Sequence, residues 1–291
     1  MNWTQRKQAR EAVRQSLLHG ILLCGCVVFS LPFAWLIATS FKQPEEIFAI
    51  PVRWIPDVFK QRPVIWTEAF RNFTSAQEFI PFWLWIRNTA YVTSLCVVLN
   101  TLSSSLVAYG FSRIRWRGRD KVFLLVLATM MLPAQVTMIP SFLIFNALGW
   151  YNTLHPLWFG SLFGAAFSIF LLRQFMMTIP VELEDAARID GCGHFRIFYS
   201  IVLPLTKPAL AVVAIETFQG AWNNFLGPYI YVNATDKMTI ALGLQWFKSE
   251  HLSMYGEMMA TSLVMTLPMI FVFFFCQRYM IQGISLTGIK A

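Results

Sequence analysis

Long apolar segments, separated by shorter polar ones, dominate the pattern of this chain. Spanning the hydrocarbon core of a bilayer takes about 20 predominantly apolar residues in a helix. Six segments reach this length, namely residues 17–39, 86–111, 122–146, 154–177, 208–232 and 258–280. Their Gly, Pro and polar residues are tolerated in membrane helices, because neighbouring helices satisfy the freed backbone groups. The pattern predicts an all-α, polytopic membrane protein with six transmembrane helices.

The polar segments divide the chain further. Residues 1–16 are predicted to form a tail, residues 17–280 a six-helix transmembrane domain, and residues 281–291 a second tail. Inside the domain, residues 42–82 form a long loop with several prolines, which is too aromatic for a disordered linker. This loop is predicted to pack on the outer face, where it either contacts a partner or only covers the helices. A second loop, residues 180–207, is charged.

Composition and charge support a membrane location and indicate an orientation. The 291 residues are 56% hydrophobic and 13% charged, far more apolar than a soluble domain of this length. The net charge of +8 would also suit nucleic acid binding, but basic residues in a membrane protein more often mark cytoplasmic segments. Most of the 23 lysines and arginines share one side if both tails, residues 112–121 and residues 173–207 lie there. We therefore expect cytoplasmic termini, a multi-pass protein of the cell (inner) membrane surrounded by lipid, and no nucleic acid partner.

Motifs for catalysis or metal binding are absent from the sequence. There is no Walker A sequence, no HExxH and no Ser/His/Asp-like order, and the four histidines are dispersed over different segments. The five cysteines form no CxxC pair and are predicted to be reduced and to act as small apolar packing residues. We therefore expect no enzyme activity and no cofactor bound by this chain. If the protein pumps, the energy must come from another subunit.

The charged loop after Pro180 predicts two short helices. Acidic residues follow Pro180, where they complement the positive N-terminal end of a helix. Ala186 and Ala187 would let another protein's backbone approach closely, and Gly191 permits the turn that ends the first helix. The second helix is predicted to pack an apolar face against the membrane helices. This face consists of Phe195, Phe198, Tyr199 and Val202.

This loop resembles the cytoplasmic "EAA" loop of permease subunits in ABC importers. The matching order is Asp185-Ala186-Ala187, three residues, Gly191, nine residues, and Ile201-x-Leu203-Pro204. Asp185 stands where the family usually has Glu, so the charge is kept on a side chain one methylene shorter. The resemblance implies that partner ATPase subunits push on this loop. The coupling residues that it implies are Glu182, Glu184, Asp185, Ala186, Ala187, Asp190, Gly191, Ile201, Leu203 and Pro204.

Polar residues in the fifth apolar segment predict a pore lining. Spacings of three and four place them on one face of a helix. They are Glu216, Gln219, Gly220, Asn223 and Gly227. Such groups at bilayer depth mark a pathway or a contact between helices, so the alternative is that Asn223 and Asn224 only hydrogen-bond between helices. In the second segment, polar residues such as Asn88, Thr89 and Asn100 are predicted to serve close helix packing rather than a pathway.

Further resemblances narrow the family. Trp222-Asn223-Asn224-Phe225-Leu226 resembles a stretch of carbohydrate-type permeases, and residues 283–291 resemble the tail of maltose-type subunits. Two prolines, Pro133 and Pro140, are predicted to loosen the third helix around Gln135, as in broken helices that frame a substrate site. The predicted substrate pathway comprises Gln135, Glu216, Gln219, Trp222, Asn223, Asn224 and Tyr229.

Together these matches imply the type I ABC importer permease fold of the maltose/glycerol-3-phosphate-like group. The implied partners are a second homologous permease subunit, two ABC ATPase subunits that hold ATP and Mg, and an extracytoplasmic solute-binding protein. The implied cargo is a sugar. The alternatives are glycerol 3-phosphate or another polyol phosphate or phosphodiester, and, from another class, a membrane-embedded enzyme. A phosphate would favour a basic residue in the pathway, and the predicted helices contain almost none besides Arg87 and Arg173.

Overall fold

The computed structural model describes residues 3–248 and 254–287, and this part of the chain is helical, without a β-strand. Residues 288–291, the end of the predicted second tail with Lys290, lie outside the described residues. Met1–Phe79 and Trp246–Met265 form one compact unit, and Ile80–Gln245 and Thr266–Ala291 form a second.

The helices follow one another with short connections. Short 3₁₀ turns cover Asp57–Phe59, Gly160–Phe163, Thr235–Lys237 and Leu244–Phe247, and Phe198–Val202 is a π-helical turn. The α-helices are α1 (Trp3–Ser40), α2 (Pro44–Ile47), α3 (Trp66–Ala69), α4 (Arg71–Phe79), α5 (Phe82–Ser112), α6 (Arg119–Thr129), α7 (Ala134–Ala147), α8 (His155–Phe159), α9 (Ala166–Met177), α10 (Glu182–Ile189), α11 (His194–Ile197), α12 (Leu203–Leu205), α13 (Lys207–Trp222), α14 (Leu226–Tyr231), α15 (Ile240–Gly243) and α16 (Tyr255–Thr287).

The membrane-length helices agree with the predicted apolar segments. Four stretches are long and apolar enough to cross a bilayer, namely residues 10–40, 82–112, 155–177 and 255–277. Two further pairs are bent, residues 119–129 with 134–147 at 94° and residues 194–205 with 207–222 at 78°, and they bring the number to six if each pair forms one span.

The third predicted helix is broken at Pro133, as its prolines indicated. α6 ends at Thr129 and α7 starts after Pro133, whose ring fixes its own backbone and disfavours helical geometry in the residue before it. The result is a bend of 94° between the two helices. Pro140, by contrast, lies inside α7 without ending it.

The fifth predicted helix is wrong in its extent. α13 ends at Trp222 and α14 begins at Leu226, so residues 223–225 interrupt the helix. The Oδ1 of Asn224 accepts a hydrogen bond from the backbone N–H of Gly227 at 3.0 Å. Asn side chains compete in this way with the helical backbone pattern. Gly227 therefore does not share a continuous helical face with Glu216.

Polar side chains of α5 hold the second unit together, but Asn88 and Thr89 contact the segment that leads into α15 rather than, as predicted for them, another long helix. The Asn88 amide donates to the backbone oxygens of Asp236 and Met238 at 2.9 and 3.0 Å. Thr89 Oγ1 accepts a hydrogen bond from the backbone N–H of Ile240 at 2.9 Å. These contacts pin the segment before α15 to the first turns of α5.

In the first unit, the long loop folds against the end of α1. Phe41, next to the end of α1, packs against the rings of Phe59, Phe70 and Phe73. The amide of Asn72 donates to the backbone oxygens of Ser40 and Lys42 at 3.0 and 2.8 Å. These contacts agree with a packed loop rather than a disordered linker.

Candidate functional site

α10 forms where the charged loop predicted a helix. Its first turn carries Glu182, Glu184 and Asp185, which complement the positive end of the helix. The helix ends at Ile189, and Gly191 then adopts a φ of +79°, a conformation that side chains with a Cβ rarely take. The predicted helix and the predicted turn at Gly191 are both confirmed.

The residues of α10 divide between two faces. Glu184 and Ala187 point inward and are buried, and Ala187 belongs to a core cluster with Met176 and Ile197. The other predicted coupling residues of this helix, Glu182, Asp185, Ala186 and Asp190, are exposed. Only one alanine of the pair therefore offers the open surface that the sequence suggested for both.

The segment after Gly191 differs in part from the prediction. Phe198 and Val202 are buried, as expected, but Phe195 and Tyr199 are 74% and 67% exposed, so their predicted packing is wrong. Because Phe198–Val202 is a π-helical turn, its side chains are displaced from the regular helical spacing. Of the last three predicted coupling residues, Ile201 and Leu203 are half-buried and Pro204 is exposed.

A buried ion pair fixes α10 from the inside. Nε of Arg113, just after α5, lies 3.0 Å from Oε1 of Glu184, and the two side chains are only 7% and 1% exposed. The sequence showed Arg113 only as one of several basic residues between residues 112 and 121. No local feature separates it from Arg115 and Arg117, because its partner lies far along the chain. The sequence analysis used Arg113 only in the argument that basic residues place this segment on the cytoplasmic side.

A cavity with both apolar and polar walls lies beside the middle of α5 in the second unit. Its volume is about 360 Å³. Among the residues that the structure describes, its walls contain one carboxylate and no basic side chain. The walls are formed by Cys96, Asn100, Leu157, Gly160, Ser161, Gly164, Ala165, Phe167, Ser168, Glu216, Thr217, Gly220, Ala221 and Asn224.

The cavity lies where the fourth predicted span is interrupted. Between the 3₁₀ turn Gly160–Phe163 and α9, Gly164 takes a φ of +74°, and a Cβ there would come within 2.9 Å of Ser104 Oγ. The backbone thus passes very close to α5. Oδ1 of Asn100 accepts a hydrogen bond from the freed N–H of Ala165 at 2.8 Å, which compensates for the interruption.

Asn100 connects three helices at this cavity. Its amide nitrogen donates to Ser168 Oγ of α9 at 3.2 Å and to Thr217 Oγ1 of α13 at 2.7 Å, and its Oδ1 also accepts from Ser104 Oγ at 3.0 Å. Every hydrogen-bonding group of this side chain is therefore used. Its predicted role in helix packing is confirmed.

The predicted pathway residues do not form one cluster. Glu216 and Asn224 line the cavity. Trp222 is buried and stacks on Phe218 with ring centroids 5.4 Å apart. The remaining four, Gln135, Gln219, Asn223 and Tyr229, are exposed outside the cavity walls, with Tyr229 stacked on Phe225 and Gln135 near the start of α7.

Residues 100–286 match the sequence profile of a family described as "Binding-protein-dependent transport system inner membrane component". The chain belongs to this family. The matched region includes the loop around α10, the cavity beside α5 and most of α16.

Individual relatives agree with this membership. The chain is 36% identical over 259 residues to the arabinooligosaccharides transport system permease protein AraQ of Halalkalibacterium halodurans, covering 89% of this chain and 90% of that protein. It is 31% identical over 285 residues to the lactose transport system permease protein LacG of Rhizobium radiobacter, covering 97% and 98%. These relatives are permeases and not enzymes. The present chain is likewise a permease subunit of a binding-protein-dependent importer.

Solved structures support the same fold. A chain of a bacterial ABC transporter involved in the import of the acidic polysaccharide alginate superposes with a TM-score of 0.77 at 23% identity, covering 96% of this permease and 99% of that chain. At this level of identity the likeness concerns the fold alone. This permease therefore has the all-helical fold of an ABC importer permease.

Proposed function

We propose that this permease forms half of a pathway that imports neutral sugars at the expense of ATP hydrolysed by partner subunits. The relatives whose names include arabinooligosaccharides and lactose support a sugar as cargo. The observation that carries the proposal is the cavity beside α5. Its Glu216 carboxylate can accept and its Asn224 amide can donate the hydrogen bonds that sugar hydroxyls require, whereas the Asn100 amide is already fully used.

The same cavity disfavours the phosphate alternative. A phosphate in this space would lie near the Glu216 carboxylate, and within the described residues no arginine, lysine or histidine lines the walls to compensate. Like charges at such close range repel. We therefore favour a neutral sugar over glycerol 3-phosphate.

The exposed face of α10 supports a docking role for the loop. Ile189 is 88% exposed, and Leu183 and Phe195 are also exposed apolar residues. Exposed apolar groups next to acidic ones are typical of a protein interface. We propose that two ABC ATPase subunits, which hold ATP and Mg, dock on this loop and on the equivalent loop of a second homologous permease subunit, and that this chain itself binds no cofactor.

We further propose six membrane spans, each bent pair counting as one, with both termini in the cytoplasm. The distribution of basic residues supports this orientation. It places the 42–82 loop outside, facing an extracytoplasmic solute-binding protein. A complex between a related transporter and an alginate pentasaccharide-bound periplasmic protein supports such a partner, at a TM-score of 0.61 and 15% identity.

The proposal is tested by deleting this chain in its source organism and measuring uptake of labelled lactose, maltose, an arabinooligosaccharide and glycerol 3-phosphate. Uptake of at least one neutral sugar should be lost and should return when the chain is re-expressed. Loss of glycerol 3-phosphate uptake with all sugar uptake intact would overturn the proposed cargo.

A further inference from the structure

We infer that Arg113 is a positioning residue that makes α10 and α5 move as one body when an ATPase subunit docks on α10. The inference rests on the proposed function and adds that α5 is the helix to which the movement of α10 is transmitted. Without such a connection, a push on α10 would be absorbed by the turns at either end of this eight-residue helix.

Arg113 joins three elements, one through its backbone and two through its side chain. Its backbone N–H closes the last turn of α5 on the Tyr109 oxygen at 2.9 Å. Its Nη2 donates to the backbone oxygens of Met176 and Ile179, at and just beyond the end of α9, where the regular helical hydrogen bonding ends. Its Nε forms the ion pair with Glu184 on α10.

Burial makes this connection stiff. Both side chains of the ion pair are almost completely removed from solvent. If α10 moved away from α5, the Arg113 guanidinium would lose its carboxylate partner in a space with little water, although Glu184 Oε2 would keep its contact with Arg188 at 3.4 Å. Loss of one partner of a buried ion pair is strongly unfavourable. A displacement of α10 that carries α5 along keeps the pair intact and avoids this penalty.

The ion pair on the outer side of α10 is not removed from solvent in this way. Arg188 lies 2.6 Å from Oδ1 of Asp185, but these side chains are 40% and 57% exposed. Ion pairs in contact with water contribute little, because solvent and salt screen them. The inner pair with Arg113 is therefore the charged contact that holds α10 to the end of α5.

Movement of α5 reaches the cavity through Asn100. This residue lies near the middle of α5, and its hydrogen bonds extend to Ser168 on α9 and Thr217 on α13. Glu216, the neighbour of Thr217, lines the cavity together with Asn100. A rigid connection at Arg113 thus links residues 180–207, the docking loop, to the walls of the proposed sugar site.

The alternative is that the ion pair only stabilises the fold. The two explanations differ in the number of sugar molecules imported per ATP hydrolysed, because a loss of folded protein lowers both rates equally and leaves their ratio unchanged. The assembled complex in proteoliposomes, with its binding protein and an imported sugar, allows both rates to be measured. The wild-type complex must import sugar in this assay, and failure at that step would count against the proposed function rather than against Arg113.

We expect Arg113→Gln to lower sugar import per ATP at least tenfold while the ATPase subunits still copurify with the permease. Glu184→Gln, which removes only the charge and keeps the shape, should show the same defect and replaces Arg113→Gln if that variant does not insert. Exchange of the two charges in Arg113→Glu/Glu184→Arg should restore part of the ratio. Arg115→Gln, at an exposed arginine two residues away, should leave the ratio unchanged. An unchanged ratio in both Arg113→Gln and Glu184→Gln would overturn the inference.

Discussion

The Asn100 amide donates a 2.7 Å hydrogen bond to the Thr217 hydroxyl and so joins the middle of α5 to α13. The remaining bonds of Asn100 reach α9 and the interrupted backbone before it. One side chain therefore satisfies groups on three helices around the proposed sugar site. Such a fully used amide is difficult to replace, because a substitute would have to satisfy groups on α9, on α13 and on the backbone before α9 at the same time.

Replacement of Asn100 should destabilise the permease. In Asn100→Ala, the buried Ser168 hydroxyl loses the Asn100 amide as its partner, which costs about 1–3 kcal/mol, whereas the Thr217 hydroxyl keeps its hydrogen bond to the Val213 oxygen. We expect a clear loss of thermal stability of the permease in detergent. Asn146→Ala, at an exposed position of α7, is the matched control and should change stability by less than about 0.5 kcal/mol. Equal melting temperatures for the two variants would contradict this role of Asn100.

The turn at Gly191 should tolerate only residues that accept a positive φ. A Cβ added at Gly191 would meet no atom within 4 Å, so any effect must come from backbone conformation alone. The left-handed conformation costs an ordinary residue about 1–2 kcal/mol, and a β-branched residue is a pronounced outlier there. We expect Gly191→Val to abolish sugar uptake although the protein still inserts. Gly191→Asn should retain most uptake, since Asn accepts this conformation. Similar uptake in both variants would show that the turn does not matter.

Reversal of the charge at Asp185 should weaken ATPase docking with little effect on the fold. The Asp185 side chain is more than half exposed, and its pair with Arg188 contributes about 0.2–1 kcal/mol at most. Asp185→Lys should therefore insert and melt almost as the wild type does, but recover less ATPase in copurification. Asp185→Glu keeps the charge and should copurify normally. If Asp185→Lys recovers the full amount of ATPase, this residue does not face the ATPase.

The cavity predicts a specific change in sugar dependence. A hydrogen bond from a sugar hydroxyl to a charged carboxylate contributes about 1.5–3 kcal/mol, which corresponds to roughly 10-fold to 150-fold in affinity. Glu216→Ala should shift the sugar concentration that half-saturates transport by up to this factor, with normal subunit assembly. Ser94→Ala, on an exposed part of α5 away from the cavity, should not shift it. Loss of assembly in Glu216→Ala would assign this carboxylate to contacts between subunits instead.

The proposed orientation can be tested with reporter fusions. An alkaline phosphatase, which is active only outside the cytoplasm, should be active when fused after Lys60 and inactive when fused after Arg117 or Pro204. The basic residues between residues 112 and 121 are the physical reason, because such clusters remain on the cytoplasmic side. Active fusions at Arg117 would reverse the topology.

The helix of the docking loop could be predicted from residues close together in the sequence. The buried ion pair that holds it could not, because its two residues lie far apart in the sequence. The acidic first turn after Pro180 and the glycine at residue 191 act within a few residues, so the sequence alone predicts α10 and its end. Arg113 and Glu184 are separated by some 70 residues, and only the packing of α5, α9 and α10 brings them together. A single sequence contains no sign of such a pair.

The proposed sugar site shows the same limit. Glu216 and Asn224 were found because amide and carboxyl groups are rare in apolar segments. The extension of one helical face to Gly227 failed, because the Asn224 side chain bonds to the backbone and interrupts the helix. The walls from Gly160 to Ala165 were missed, since their positions follow from the close approach of Gly164 to Ser104.

The two alanines of the docking loop, Ala186 and Ala187, lie on opposite faces of α10. Ala187 lies in the core with Met176 and Ile197, whereas Ala186 lies in the open. A larger side chain at residue 187 would displace α10 from the core of the permease, whereas the same change at residue 186 would disturb only a partner that docks on α10, as proposed for the ATPase. The two adjacent alanines therefore have to be small for different reasons, Ala187 for packing inside the permease and Ala186 for the approach of the proposed partner.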